Sequence, residues 1–150
     1  MSEVITADFV DLKLEAADRQ IASRSLAERL VSGQRVTDLE GFLRDIATRE
    51  SQMPTGIEGG IGIPHCRSVH VTEPSLAFGR ASAGIDFGAS DGPADLIFLI
   101  AAPEGGDASH MKILASLARK LIKKDFKDTL RAVSDPQEAA AFIQREVSPS

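Results

Sequence analysis

The sequence predicts an α/β domain in which helices pack on a central sheet. Three observations carry that prediction: period-two alternation of apolar residues near the N-terminus, an almost wholly apolar run at "DLIFLIAA" (residues 95–102), and helical spacing between and after these segments. At 150 residues the chain suits one domain. A domain of that length buries roughly 68–70% of the surface that its unfolded form exposes, so it needs no disulfide or metal staple.

In chain order, "FVDLKLE" (residues 9–15) sets Val10, Leu12 and Leu14 on one side and Asp11, Lys13 and Glu15 on the other, a strand with one wet face. Residues 17–31 shift to helical spacing, and "SGQ" at 32–34 stops it. A second helix opens on a capping box, Thr37 with Glu40 three positions on. Leu39, Phe42, Leu43, Ile46 and Ala47 make its apolar stripe, and it ends around Arg49 and Glu50. After a glycine-rich loop come three strands: 61–63 running into His65, then 75–80, then 95–102. The last is apolar nearly throughout, as a strand covered on both faces is. A third helix follows "PEGGD", capped by Asp107 or Ser109, with Met111, Leu114, Ala115, Ala118 and Leu121 facing inward. Phe126, Leu130 and Val133 mark a short fourth helix, and Asp135-Pro136 with Glu138 starts a fifth that ends near Val147. Residues 1–147 therefore read as one domain, and 148–150 as a tail or the start of a linker.

A hydrophobic fraction of 43%, no apolar run long enough to cross a membrane and no secretory pattern lead to the expectation of a soluble, cytoplasmic domain. The formal charge of −5, without long basic runs, argues against nucleic acid as a partner. Cys66 is the single thiol, so no internal disulfide forms, and no CxxC pair suggests a structural metal.

The chemistry concentrates in "TGIEGGIGIPHCR" (residues 55–67), where four glycines fall within seven positions and an apolar run then delivers Pro64 and His65. Proline donates no ladder hydrogen bond. Pro64 is therefore expected to end the strand and hold His65 at its tip, where ligands bind in open α/β sheets. The glycines are expected to leave room for a partner or a phosphoryl group beside the ring. Taken alone, a histidine near an apolar run is more often a structural residue, and glycines often serve only a turn. His110 adds a second imidazole where a Gly-Gly loop enters a helix, whose first-turn N–H groups favour negative charge. Arg49 adds a guanidinium at the last turn of its helix, a position that is usually a solvated C-terminal charge. Converging in one pocket, the three suit a phosphate: a neutral imidazole attacks phosphorus, and a guanidinium fork holds oxygens. An unperturbed imidazole pKa of about 6.5 supplies the neutral form near pH 7.

"MPTGIEGGIGIPHCR", with "RES" upstream and "DASHMKILASLARKL" downstream, resembles the fructose/mannitol-type enzyme IIA domain of the bacterial phosphoenolpyruvate-dependent sugar phosphotransferase system. The resemblance covers nearly the whole chain. It implies a layered α/β sandwich, a central mixed sheet flanked by helices. It also implies that His65 accepts a phosphoryl group from the phosphohistidine of the small carrier HPr through Nε2, that His110 positions the phosphate, and that Arg49 neutralises its charge. Thr55 and Glu58 take supporting places in the same loop. The group then passes to a cysteine of an enzyme IIB domain, which phosphorylates a sugar entering through a membrane IIC domain fused or adjacent to it; fructose is the sugar that the resemblance favours. No metal or cofactor is expected.

The family often has glycine where this chain has Cys66, and "AIPH" where it has "GIPH". A thiol nucleophile at Cys66 is not expected, because adjacent side chains on a strand point to opposite faces. His70 reads as a surface residue. Two further readings stand beside transport: a regulatory nitrogen-type enzyme IIA that acts by binding other proteins, and a non-catalytic binding module with a histidine at a strand end.

Overall fold

The computed structural model describes residues 4–52, 55–105 and 109–147, with the backbone alone at 109–111. The expected cap at Asp107, the side chains of Ser109 and Met111 and the tail at 148–150 lie outside the described residues; the backbone of Ser109 is already the first residue of the third long helix. Six strands make one mixed sheet: β1 (Val10–Asp11), β2 (Gly56–Ile57), β3 (Ile61–Gly62), β4 (His65–Ser68), β5 (Ser75–Ile85) and β6 (Ala94–Pro103). Their order is β1-β5-β6-β3-β2, with β4 also paired to β6. Around the sheet lie α1 (Arg19–Ser32), α2 (Leu39–Gln52), α3 (Ser109–Leu121), α4 (Lys124–Ala132) and α5 (Pro136–Val147).

β6 is the central element. It runs antiparallel to β5 and parallel to β3 and β4, and Leu96, Ile97, Phe98 and Leu99 are all fully buried, as a strand covered on both faces requires. Phe98 stands opposite Phe78 of β5 in the ladder, with ring centroids 5.0 Å apart. α1 packs on β5, α2 on α1 and β4, α3 on β6, and α5 on α3 and the N-terminal segment. Arg80 of β5 reaches across to donate to the carbonyls of Leu130, Arg131 and Val133, satisfying the open end of α4.

Several elements differ from the sequence expectation. The N-terminal strand shrinks to β1 after a 3₁₀ turn at Ala7–Phe9, because Asp11 accepts from the Lys13 N–H at 3.0 Å and turns the chain. The Leu14 N–H still donates to the Arg80 carbonyl, which keeps Leu14 in the core. β5 continues to Ile85, past a register shift after Arg80. The cap of α2 is Asp38, whose carboxylate accepts from the Gly41 N–H at 3.2 Å; Thr37 donates instead to the His70 carbonyl, and Glu40 forks onto Arg24. Ala47 is exposed, and α2 runs on to Gln52. In α3 the buried stripe is Ile113, Leu117 and Leu121, with Leu114 half-buried and Ala115 and Ala118 exposed: the larger aliphatic residues at i, i+4 and i+8 take the core. Phe126 and Leu130 of α4 are buried as expected, and Asp135 starts α5 by accepting from Gln137 and Ala139.

α1 begins on Asp18, which accepts from the Ile21 N–H at 2.8 Å, and ends in a Schellman turn: Gln34 donates to Val31, and Arg35 to Leu30. Gln34 takes the left-handed position of that turn at φ 63°. Glycine occupies that conformation without a Cβ clash, so Gln34→Gly is expected to raise unfolding free energy by about 0.5–1 kcal/mol. The measurement is the urea midpoint at unchanged slope.

Candidate functional site

β3 and β4 are two pieces of one strand. Ile61 pairs with Leu96, Gly62 with Ile97, His65 with Ile100 and Cys66 with Ala101, so the register along β6 passes through Ile63 and Pro64 without a shift. Pro64 was expected to end the strand; it interrupts it instead. Its carbonyl still accepts from the Ile100 N–H at 3.0 Å, and only the donor that proline lacks is lost from the ladder. His65 is therefore the first residue of a resumed strand, not the last of a finished one.

The break also orients the ring. The Ile63 N–H donates to Thr55 at 3.1 Å, on the side of the strand away from β6. The Ile63 carbonyl lies 2.7 Å from Nδ1 of His65. A carbonyl only accepts, so Nδ1 carries the proton, and in the neutral ring the lone pair is left on Nε2.

The four glycines before it serve packing and turning, not an empty space beside the ring. Gly59 and Gly60 make the β2–β3 turn at φ 98° and 83°. A Cβ on Gly62 would lie 2.7 Å from the Phe87 ring, and one on Gly56 would lie 2.6 Å from the Phe87 carbonyl oxygen. The loop thus presses its backbone against Phe87.

His65 opens onto a cleft of about 580 Å³ between β4, the second half of α2 and α3. Asp45 and Arg49, four residues apart on one face of α2, line it with Cys66 and Arg67 of β4, and Ile100 and Leu114 form its apolar wall. Asp45 is held in place by the fully buried Ser68, whose hydroxyl donates to it at 2.6 Å and accepts from the His70 N–H at 3.1 Å. Cys66 borders the same cleft as His65, although the two alternate along the strand. β4 pairs with β6 alone, so the cleft wraps round that edge and reaches both faces. Burial, aided by the Asp45 carboxylate, pushes the Cys66 thiol up to about 12, so it stays protonated near neutral pH and does not compete as a nucleophile.

The cleft thus brings together two of the residues singled out from the sequence, His65 and Arg49. The side chain of His110 lies outside the described residues; its backbone is the second residue of α3, one turn before Leu114. Thr55 is buried but does not line the cleft: its hydroxyl bonds to Glu50, which in turn pairs with Arg19 at 3.1 Å. Arg19 lies 5.9 Å from the Phe87 ring. This chain of contacts ties the last turn of α2, where Arg49 sits, to α1 and to the glycine-rich loop. Glu58 is exposed on the β2–β3 turn, where it accepts from Ser90, and the structure does not bring it to the cleft. His70 is half-buried, 3.8 Å from Asp38 at the start of α2. Asp45 and Glu50 were not singled out from the sequence. The i, i+4 spacing of Asp45 and Arg49 was a readable signal; the Glu50–Thr55 contact depends on how the loop folds back.

The profile of the phosphoenolpyruvate-dependent sugar phosphotransferase system EIIA 2 family matches residues 3–146. The chain belongs to that family. As an EIIA protein it is a phosphotransferase component and phosphocarrier of the sugar phosphotransferase system. It is 34% identical over 138 residues to the fructose-specific EIIA component of Haloferax volcanii, a match that covers 91% of this chain and 90% of that protein. With the fructose-specific EIIABC component of Bacillus subtilis it is 33% identical over 131 residues, 87% of this chain; the match covers 21% of that longer protein. Its fold matches the nitrogen regulatory protein IIA-Ntr of Neisseria meningitidis with a TM-score of 0.84 at 26% identity, over 93% of this chain and 96% of that one. It also matches the Escherichia coli complex of mannitol enzyme IIA with phosphorylated mannitol enzyme IIB, with a TM-score of 0.77 at 25% identity, over 93% and 96% of the two chains.

Removing the Glu50 carboxylate leaves Thr55 and Arg19 without their shared partner. Glu50→Ala is expected to lower unfolding free energy by about 1–3 kcal/mol. In a double-mutant cycle Thr55→Ala should add little to that loss, and additive losses would show that the hydroxyl serves another group. A thiol at about 12 predicts that iodoacetamide at pH 8 labels Cys66 in the folded protein about a thousandfold more slowly than in denaturant.

Proposed function

We propose that His65 is the phosphoryl acceptor of this EIIA protein, taking the group from phosphorylated HPr and passing it to an enzyme IIB domain. The observation that carries this reading is the Nδ1 contact to the Ile63 carbonyl, which leaves the nucleophilic lone pair on Nε2 of a ring that borders the cleft. Attack forms an Nε2–P bond and breaks the N–P bond of the donor phosphohistidine. The bonding pair returns to the donor nitrogen, and that ring leaves as neutral imidazole, keeping the proton on its other nitrogen. His65 keeps its own proton against Ile63, so no proton changes hands in this step.

Arg49 offsets the charge of the group from α2. His110, in the first turn of α3, holds its oxygens, a role that rests on the family resemblance. Thr55 acts at a distance, by holding the loop to Glu50. Among the described residues no helix is long and apolar enough to cross a membrane, which suits a carrier that meets its partners in the cytoplasm. Fructose is the sugar we assign to the pathway it feeds, and residues 1–147 are the functional domain. The IIA-Ntr likeness keeps a regulatory reading in view, in which the phosphorylated form binds other proteins; transfer of label to an enzyme IIB domain separates the two.

With labelled phosphoenolpyruvate, enzyme I and HPr, the wild type is expected to take up acid-labile, base-stable label, and His65→Ala none. Label that persists in His65→Ala would remove His65 from this role, and a folded wild type that takes none would leave a binding module. Arg49→Ala is expected to keep its melting temperature and transfer about tenfold or more slowly. A large fall in melting temperature would make Arg49 structural.

A further inference from the structure

Arg67 has no part in the reading above, yet its position is hard to separate from that of His65. It follows His65 by two residues on β4, so both side chains leave the same face of the strand, with backbones about 6–7 Å apart. Its ladder partner on β6 is Ala102, a small residue, so nothing bulky stands over it from that strand. Arg67 is exposed and lines the same cleft as His65 and Arg49.

The charges around it are uneven. The chain carries −5 overall. Arg19, Arg24, Arg29, Arg35, Arg131 and Arg145 each have a carboxylate within 4 Å; Arg80 and Arg119 donate hydrogen bonds, and Arg44 interacts with Glu40. Among the described residues Arg49 and Arg67 alone among the arginines have no such partner, and both line one cleft. The carboxylate in the same cleft, Asp45, accepts from the Ser68 hydroxyl and forms no ion pair with either arginine among the described residues. Two guanidinium groups with no hydrogen-bond or carboxylate partner among the described residues thus border one cleft with an imidazole and a single carboxylate, a net positive lining that suits an anion.

We infer that Arg67 is a second phosphoryl-contact residue, so that the group on Nε2 of His65 is held between one guanidinium from α2 and one from β4. The inference rests on the phosphoryl-acceptor reading of His65. During transfer negative charge spreads over three equatorial oxygens. One planar fork engages two of them, and a second cation reaches the third. Arg67 forms no ion pair among the described residues that the fold would lose, so its replacement isolates this role.

Rapid-quench transfer from phosphorylated HPr to wild type, Arg67→Gln and Arg67→Lys tests it, together with the ³¹P resonance of each isolated phosphorylated protein. Arg67→Gln is expected to melt with the wild type, to lose about tenfold or more in the saturated transfer rate, and to move the ³¹P resonance; Arg67→Lys should recover part of the rate, since it keeps the charge without the fork. A transfer rate and a resonance equal to wild type in Arg67→Gln would overturn the inference while leaving His65 in place. A loss confined to the concentration of HPr needed for half-saturation, with the resonance unmoved, would overturn it too and make Arg67 a docking residue. No label on wild-type His65 would overturn the acceptor reading, and the inference with it.

Discussion

The ladder between β6 and the interrupted strand formed by β3 and β4 is the constraint on which the site depends. β6 is buried on both faces, and each large side chain it hides contributes about 1.5–3 kcal/mol. A slip of one residue along it would turn every side chain of β4 to the opposite face. The position of His65 is therefore secured by the burial of Leu96 to Ile100, not by any interaction of the imidazole itself. Pro64 removes one donor from that ladder without moving the register, and the Ile63 carbonyl, on the side away from β6, receives Nδ1.

Around that anchor the polar groups divide their work. Buried ones hold elements together: Ser68 fixes Asp45, and Glu50 joins Thr55 and Arg19 across three segments. Arg49 and Arg67, which have no partner among the described residues, both border the cleft onto which His65 opens. The thiol beside the imidazole is kept out of the chemistry by its burial and by Asp45, which raise its pKa. A carrier needs this division, since its phosphorylated side chain has to be held firmly yet given up to the next partner.

Parts of this were legible because they depend on local chemistry. β6 shows in eight consecutive, mostly apolar residues, α4 in Phe126, Leu130 and Val133, and α5 in Asp135-Pro136. What was not legible depends on a partner elsewhere in the chain. β2, two residues long and not expected from the sequence, exists only through its pairing with β3. Thr37 looks like a helix cap, but its hydroxyl is taken by the His70 carbonyl, and the cap passes to Asp38. Ala115 and Ala118 fit an apolar stripe of α3 as well as Ile113 and Leu117 do, and only the space available against the sheet chooses between them.

The sequence by itself determined the α/β class, the histidine that follows the proline, and the arginine at the end of its helix, because periodicity, proline geometry and motif spacing act over a few residues. Only the tertiary structure decided which nitrogen of His65 is left free, that the glycines pack on Phe87 instead of opening a space, that Thr55 faces Glu50 while Glu58 faces solvent, and that Arg67 shares the cleft with Arg49. The packing on Phe87 and the shared cleft are set by contacts between segments far apart in the chain; the Ile63–His65 and Glu50–Thr55 contacts are near in sequence, but they form only where the sheet and the folded-back loop hold those residues.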